Sequence, residues 1–379
     1  PLPYLFHVDS VILTITSSDS YYSFTGIQLK LGDQDSTYYW NKSDSIPILR
    51  LREIKTYASD GVTTKDYKFQ LNIYQEDPYI IAWEKIRENY LTPPVTSQKT
   101  IACNSRIFTY YRSGTEMKAV STLAPGSENW EVISLSGMPY TIELSSLITS
   151  GSAIYALDTA SGSVYQSPDG VNWSSVQTDY EVIALYGELP STSSGNILVG
   201  VNHSGILKFA HTDNDFSEIT LMNDIPANMP VTDFSAIKIE SSTSYATKFI
   251  YLSGGTKADN TPNNDIWVIQ EDEGAIKYIA SKRPAEAILK GCSFFFYDDK
   301  PYLITTSAGK NLLMYSENYG VEWLEAGENQ ALPSDFTERT NASVITDANN
   351  YIWIFGGISS SNTQLVDIWK GRLNKFDLN

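Results

Sequence analysis

Apolar and polar residues alternate in short stretches along the chain. Residues 10–16 (SVILTIT), 26–31 (GIQLKL) and 67–74 (YKFQLNIY) each make roughly every second side chain apolar. A period of two turns one face of an extended segment inward and the other to water, so these stretches predict half-buried strands. Asp60 and Gly61 precede residues 62–73, and an Asp-Gly pair supplies the positive φ that a tight hairpin needs. Residues 1–78 are therefore expected to form a small all-β domain, with QEDP at 75–78 as the break.

From residue 79 onward the pattern repeats. A large apolar residue opens an outer strand at Trp83, Trp130, Trp173, Phe216, Ile276 and Trp323, at spacings of 47, 43, 43, 60 and 47 residues. A repeat of about 40 to 50 residues is the size of one four-stranded blade. The markers predict a six-bladed β-propeller over residues 79–379. The long interval is ascribed to residues 223–233 and to the loop after Gly254 and Gly255.

Two turn signatures support the repeat. Residues 167–173 (SPDGVNW) and 316–323 (SENYGVEW) resemble Asp-boxes: Ser167 and Asp169, or Ser316 and Asn318, bond their own turn backbone. Gly170 and Gly320 take the positive φ, and Trp173 and Trp323 plug between sheets. Residues 249–255 (FIYLSGG) leading to Trp267, and 351–357 (YIWIFGG) leading to Trp369, resemble kelch repeats. There the pairs Gly254 and Gly255, and Gly356 and Gly357, permit close backbone approach near the axis. Ile276 opens a fourth strand nine residues after Trp267, but nine residues after Trp369 only Leu378 and Asn379 remain. The last blade therefore lacks an outer strand, and residues 80–86 (IIAWEKI) are expected to supply it in a "Velcro" closure.

Composition narrows the chemistry. The 25 Tyr and 8 Trp, beside many Ser and Thr, suit strands. With 27 Lys plus Arg against 44 Asp plus Glu, the net charge is −17, which repels a phosphate backbone, so no nucleic-acid partner is expected. Cys103 and Cys292 each sit in an apolar run and are expected to be buried free thiols. No run of 18 apolar residues predicts a transmembrane helix. The chain opens at Pro1 without a Met or an apolar leader, which is expected of a processed or trimmed product.

The catalytic constellations tested are incomplete. Asp-boxes are familiar from sialidases, but Arg87, Arg106, Arg112, Arg283, Arg339 and Arg372 include no Arg-Ile-Pro motif. Kelch-like glycines raise the copper radical oxidases, yet the propeller has only His203 and His211, placed at opposite ends of one strand over 205–211. His7 lies in the other domain, so no metal site, cofactor or His-based triad is expected. Asp259, Asp265, Glu286, Asp335 and Glu338 offer loop carboxylates for glycoside hydrolysis. The loop face of a propeller would carry Tyr90, Arg112, His203, Lys257, Arg283, Lys310 and Arg339. Such basic and aromatic groups suit sugars or anionic polymers.

The segment DGVTTKDYKFQLNIYQEDP at 60–78 resembles the closing strands of cadherin-like or Ig-like sandwiches. With the Trp strand that follows and six mixed units, the whole chain resembles a group of uncharacterised exported proteins, lipoprotein-like, from gut-dwelling Gram-negative anaerobes. That resemblance implies an extracytoplasmic location, with a lipid anchor upstream of Pro1, and brings no activity or catalytic residues. The expectation is a monomeric, non-enzymatic surface binding protein for a glycan or a protein partner. The alternative is a glycan-active enzyme with a carboxylate pair in the central pocket.

Overall fold

The computed structural model describes residues 4, 8–17, 24–32, 37–73, 76–190, 193, 195–240, 248–282 and 287–376. Among the described residues it is all-β apart from two single-turn 3-10 helices, and no helix there is long and apolar enough to cross a membrane. The chain divides into two compact units, 1–80 with 374–379, and 81–373.

In the first unit a four-stranded sheet runs Thr37–Tyr39, Gly26–Leu31, Leu51–Tyr57, Thr64–Lys68, and a two-stranded sheet pairs Val11–Ile12 with Ser45–Ile46. Ile27, Leu29, Ile46, Ile48 and Leu51 form its core. The Asp60 carboxylate accepts from the backbone N–H groups of Val62 and Thr63, and Gly61 takes φ +68°, which closes the expected hairpin. The strand expected over 67–74 ends early, at Lys68. Lys68 pairs with Glu53, and the partner strand begins at Leu51 after a 3-10 turn, so little extended backbone remains to pair with. Likewise only Val11–Ile12 of the 10–16 stretch finds a partner, itself two residues long.

The second unit has six sheets among its described residues. Five are built of four successive antiparallel strands, beginning at Ser97–Cys103, Ile142–Ser150, Glu181–Glu188, Pro230–Glu240 and Ile288–Tyr297. The sixth contains Arg339–Thr340, Ser343–Thr346, Ile352–Ser359 and Gln364–Leu373, and Ile81–Arg87 pairs with the last of these. In that pairing Gly371 lies opposite Trp83, and a Cβ there would come within 2.4 Å of the indole ring. The apolar core falls into packets between neighbouring sheets, such as Phe108, Tyr110, Ile154 and Trp173 between the first and second.

The turns are held as the side-chain chemistry predicts. Asp169 Oδ1 accepts from Val171 N and Asn172 N, Asn172 Nδ2 donates to Oδ2, and the Ser167 hydroxyl donates at 3.1 Å. Burial alone would raise the Asp169 carboxyl, but these bonds outweigh it and bring the pKa down to about 2. Gly170 at φ +76° packs on the Phe108 ring, where a Cβ would lie 2.5 Å from two ring atoms. At the second turn Gly320 N donates to Ser316 Oγ and Glu322 N to Asn318. The turns are also anchored by tyrosines from the preceding sheet: Tyr110 donates to Gly170 O and Tyr251 to Tyr319 O. Tyr155 does the same to Asn214 O, ahead of Phe216.

The glycine pairs act across two contacts. A Cβ on Gly254 would meet Leu289 O of the next sheet, and one on Gly356 would meet the Gln98 side chain. Gly255 and Gly357 face the positive-φ residues Asp233 and Asn341, which kink the first strands of the fourth and sixth sheets. The long interval in the fourth repeat arises only in part where it was expected: the loop after Gly254 and Gly255 contributes, but residues 223–233 are not a long loop. Residues 223–224 and 230–233 are strand, and the length arises from strands of 11 and 10 residues, Pro230–Glu240 and Lys248–Lys257, with the segment and loop that follow them.

Candidate functional site

The first strands of all six sheets wall a central channel of about 320 Å³, with Lys99 to Ala102, Ser145, Leu185, Phe234 to Lys238, Ser293 and Ala342 to Ile345 in its lining. A space of about 120 Å³ adjoins it at one end, bounded by Lys99, Glu143, Ser145, Asp233, Asn341 and Gln364 among others. Lys99, Ser145, Phe234, Ser235 and Ala342 belong to both walls, so the smaller space continues the channel and forms its mouth.

The mouth is polar and its polar groups converge. The Ser145 hydroxyl lies 3.1 Å from Glu143 Oε1 and 3.0 Å from Asp233 Oδ1, and Ser145 N also donates to Glu143. One hydroxyl proton serves two carboxylates, from the second and fourth sheets. Asp233 reaches this position because it sits at φ +56° on a kinked strand, beside the space left by Gly255. Glu143 is held at the start of Ile142–Ser150, where the register with Ala153–Asp158 is interrupted between Glu143 and Ile148. Lys99 has no described hydrogen-bond acceptor or carboxylate within reach of its ammonium, and desolvation lowers its pKa. Further along the channel, Lys238 is paired with Glu188 at 3.0 Å.

Among the described residues, none of the basic and aromatic groups expected on the loop face lines the channel or its mouth. Tyr90 is buried against Trp130 and Phe355, its hydroxyl bonds Gln98, and burial pushes its pKa up to about 12. Arg339 is buried and forms a bidentate pair with Asp367 while lying over the Phe336 ring. Both are core residues, because their ring or guanidinium plane fills an inter-strand gap that sequence spacing does not reveal. Arg112 spends its donors on Ser97 and the carbonyls of Tyr140 and Ile142. His203 packs edge-on to Tyr180, Lys257 ends its strand in a closed turn, and Lys310 opens a strand at an exposed hairpin. Arg283 lies outside the described residues.

The remaining candidates fare similarly. His203 and His211 belong to two adjacent strands, Ile197–His203 and Ile206–Thr212, and not to one. No group of three or more metal-ligating side chains occurs among the described residues. Asp259 bonds Thr261 within its own loop, Asp265, Asp335 and Glu338 do not line the channel or mouth, and Glu286 is outside the described residues. Cys103 and Cys292 are free and buried, and burial raises both thiols, that of Cys292 to about 12. The Glu143–Ser145–Asp233 junction was missed because Asp233 comes from a strand 88 residues away from Ser145, two sheets on, and its positive φ has no local sequence signal.

Residues 77–379 match the DUF6242 beta propeller domain, and residues 1–71 match the DUF6242 N-terminal domain, a domain of unknown function. The chain belongs to the DUF6242 family. Its second part is therefore a β-propeller. A search of curated proteins found no match to this DUF6242 chain. Among solved structures the chain is similar to YjhT, at 10% identity and TM-score 0.48 over 74% of this chain and 95% of that one. It is also similar to the α-L-arabinanase of Penicillium chrysogenum complexed with arabinobiose, at 11% identity and TM-score 0.46 over 76% and 97%. A third is an α-L-arabinofuranosidase mutant of Fusarium graminearum, in complex with an iminosugar inhibitor, at 11% identity and TM-score 0.47 over 77% and 99%.

Proposed function

We propose that this DUF6242 protein is a non-enzymatic binding protein that takes a hydroxyl-rich glycan at the mouth of its propeller channel. The observation that carries the reading is the convergence of Glu143 and Asp233 on the Ser145 hydroxyl at that mouth. Carboxylates accept paired hydrogen bonds from neighbouring sugar hydroxyls, and the Asn341 and Gln364 amides can both donate and accept. The six sheets are read as six blades with kelch-like and Asp-box turns, and the first unit as a small cadherin- or Ig-like sandwich acting as a spacer. Strand-rich, Ser- and Thr-rich composition and the resemblance to exported proteins of gut anaerobes support a place in the periplasm or on the cell surface, with a lipid anchor.

A glycan array probed with wild type and an Asp233→Ala, Ser145→Ala double variant tests the site. Binding of at least one glycan class by wild type, lost in a double variant that melts normally, is the expected result. An empty wild-type array sinks the glycan reading and moves the argument to a protein partner.

The same carboxyl pair favours a second reading. Retaining glycoside hydrolases place two carboxyls about 5 to 5.5 Å apart, and two groups sharing one hydroxyl are close neighbours. Release of reducing ends by wild type, abolished by Glu143→Gln with binding kept, would establish catalysis over simple binding.

A further inference from the structure

We propose that the glycan carries an anionic substituent, a carboxylate or a sulfate ester, which docks on Lys99; this rests on the glycan reading of the mouth. The direction of the side chain follows from its strand. On Ser97–Cys103 the neighbours Gln98 and Thr100 face the sixth sheet and Tyr90: Gln98 Nε2 donates to Leu365 O, and the Thr100 hydroxyl lies 3.4 Å from that of Tyr90. Alternation therefore turns Lys99 the other way, toward the wall shared with Ser145 of the second sheet.

Among the described residues Lys99 stands without a counter-ion. Lys238 on the same channel wall has Glu188 and Glu240. Glu143 and Asp233 bound the same mouth as Lys99, but they are tied to Ser145, and neither comes within 4 Å of the ammonium. An uncompensated cation in a narrow, partly desolvated passage is a costly arrangement, and an incoming anion removes that cost. The lowered ammonium pKa has the same origin.

The placement orders the ligand. Lys99 belongs to the walls of both the mouth and the channel, so it stands at the neck between them. The anion would enter deepest, and the sugar hydroxyls would stay outside it with Glu143, Asp233 and Asn341. Acceptors at the rim and one donor at the neck select a saccharide that is neutral along its length and charged at an inserted end or branch. The net charge of −17 makes general attraction of polyanions a poor alternative, because most of the surface repels them.

Calorimetric titration of the full chain with oligogalacturonate, a sulfated galactan oligosaccharide and a neutral galactan oligosaccharide of equal length tests the assignment. Wild type should bind at least one charged oligosaccharide about ten-fold or more tighter than the neutral one, a difference of about 1.4 kcal/mol. Lys99→Met keeps the aliphatic stem and should erase that preference while retaining the neutral affinity and the melting temperature. The two charged arms tell carboxylate from sulfate. Protection of Lys99 from amine acylation by the bound oligosaccharide, read by mass spectrometry, should follow the same order. Equal affinity for charged and neutral forms, or an unchanged preference in Lys99→Met, overturns the inference and leaves the mouth reading intact. No binding of any oligosaccharide overturns both.

Discussion

Arg339 and Asp367 form a buried bidentate pair, with Nη1 to Oδ1 at 2.6 Å and Nη2 to Oδ2 at 2.9 Å. Arg339 Nη1 also donates to Gly356 O, and Trp369 Nε1 donates to Asp367 Oδ2. The pair thus ties three parts of the sixth sheet to one another. In the fourth sheet a neutral residue fills this place: Asn263 Nδ2 donates to Gly254 O and its Oδ1 accepts from Trp267. Two chemistries satisfy the carbonyl of the first glycine in each pair.

Arg339→Ala should therefore destabilise the protein and leave ligand affinity untouched in whatever fraction stays folded. Removing one partner strands a buried carboxylate, which costs about 3 to 5 kcal/mol. Urea unfolding checks it: a midpoint within error of wild type would contradict the structural role. Asp367→Asn with Arg339→Met removes both charges and should recover part of the loss.

The closure rests on the strand Ile81–Arg87. Deleting residues 79–87 exposes the Gln364–Leu373 edge and should unfold the propeller, read by loss of the cooperative melt. Trp83→Ala is the milder change. Because the indole is only half-buried, over Gly371 and with Nε1 3.3 Å from Gln330 O, it should cost about 2 kcal/mol, below the value for a fully buried Trp. A truncated protein that melted like the parent would remove the closure from the account.

Asp169 sets a pH dependence whose sign is fixed by its lowered pKa. The carboxyl titrates at about 2 in the folded chain and at about 3.9 when unfolded, so the stability it contributes is complete above the unfolded value. That contribution fades as pH falls from about 4 toward 2. Asp169→Asn, which copies Asn318 of the other turn, should lower the urea midpoint at pH 6 and converge with wild type near pH 2. A gap that stayed constant with pH would assign the effect to packing instead.

Much of the architecture could be read from the chain because its causes are local. A Ser, an Asp or Asn and a Gly within five residues bond one another wherever the turn is placed, so residues 167–173 and 316–323 announced themselves. Trp83, Trp130, Trp173, Phe216, Ile276 and Trp323 lie in or just before the outermost strands of the sheets, as their spacing suggested. Tyr90 and Arg339 were misplaced because an amphipathic side chain in a loop-like segment can turn either outward or into a gap between sheets. Composition does not decide which; the neighbouring strand does.

The sequence by itself determined the outer strands of the second unit, the Ser-Asp and Ser-Asn turns before two of them and the surplus strand near residue 83, since these depend on recurring apolar markers and on side chains reaching their own backbone. The tertiary structure decided the site. Glu143, Ser145 and Asp233 meet, and Lys99 stands beside them without a counter-ion, because three sheets converge on one axis and a glycine opposite Asp233 leaves room for its kink. Contacts of that kind come from the curvature of a closed ring of sheets, and no local pattern in the chain encodes them.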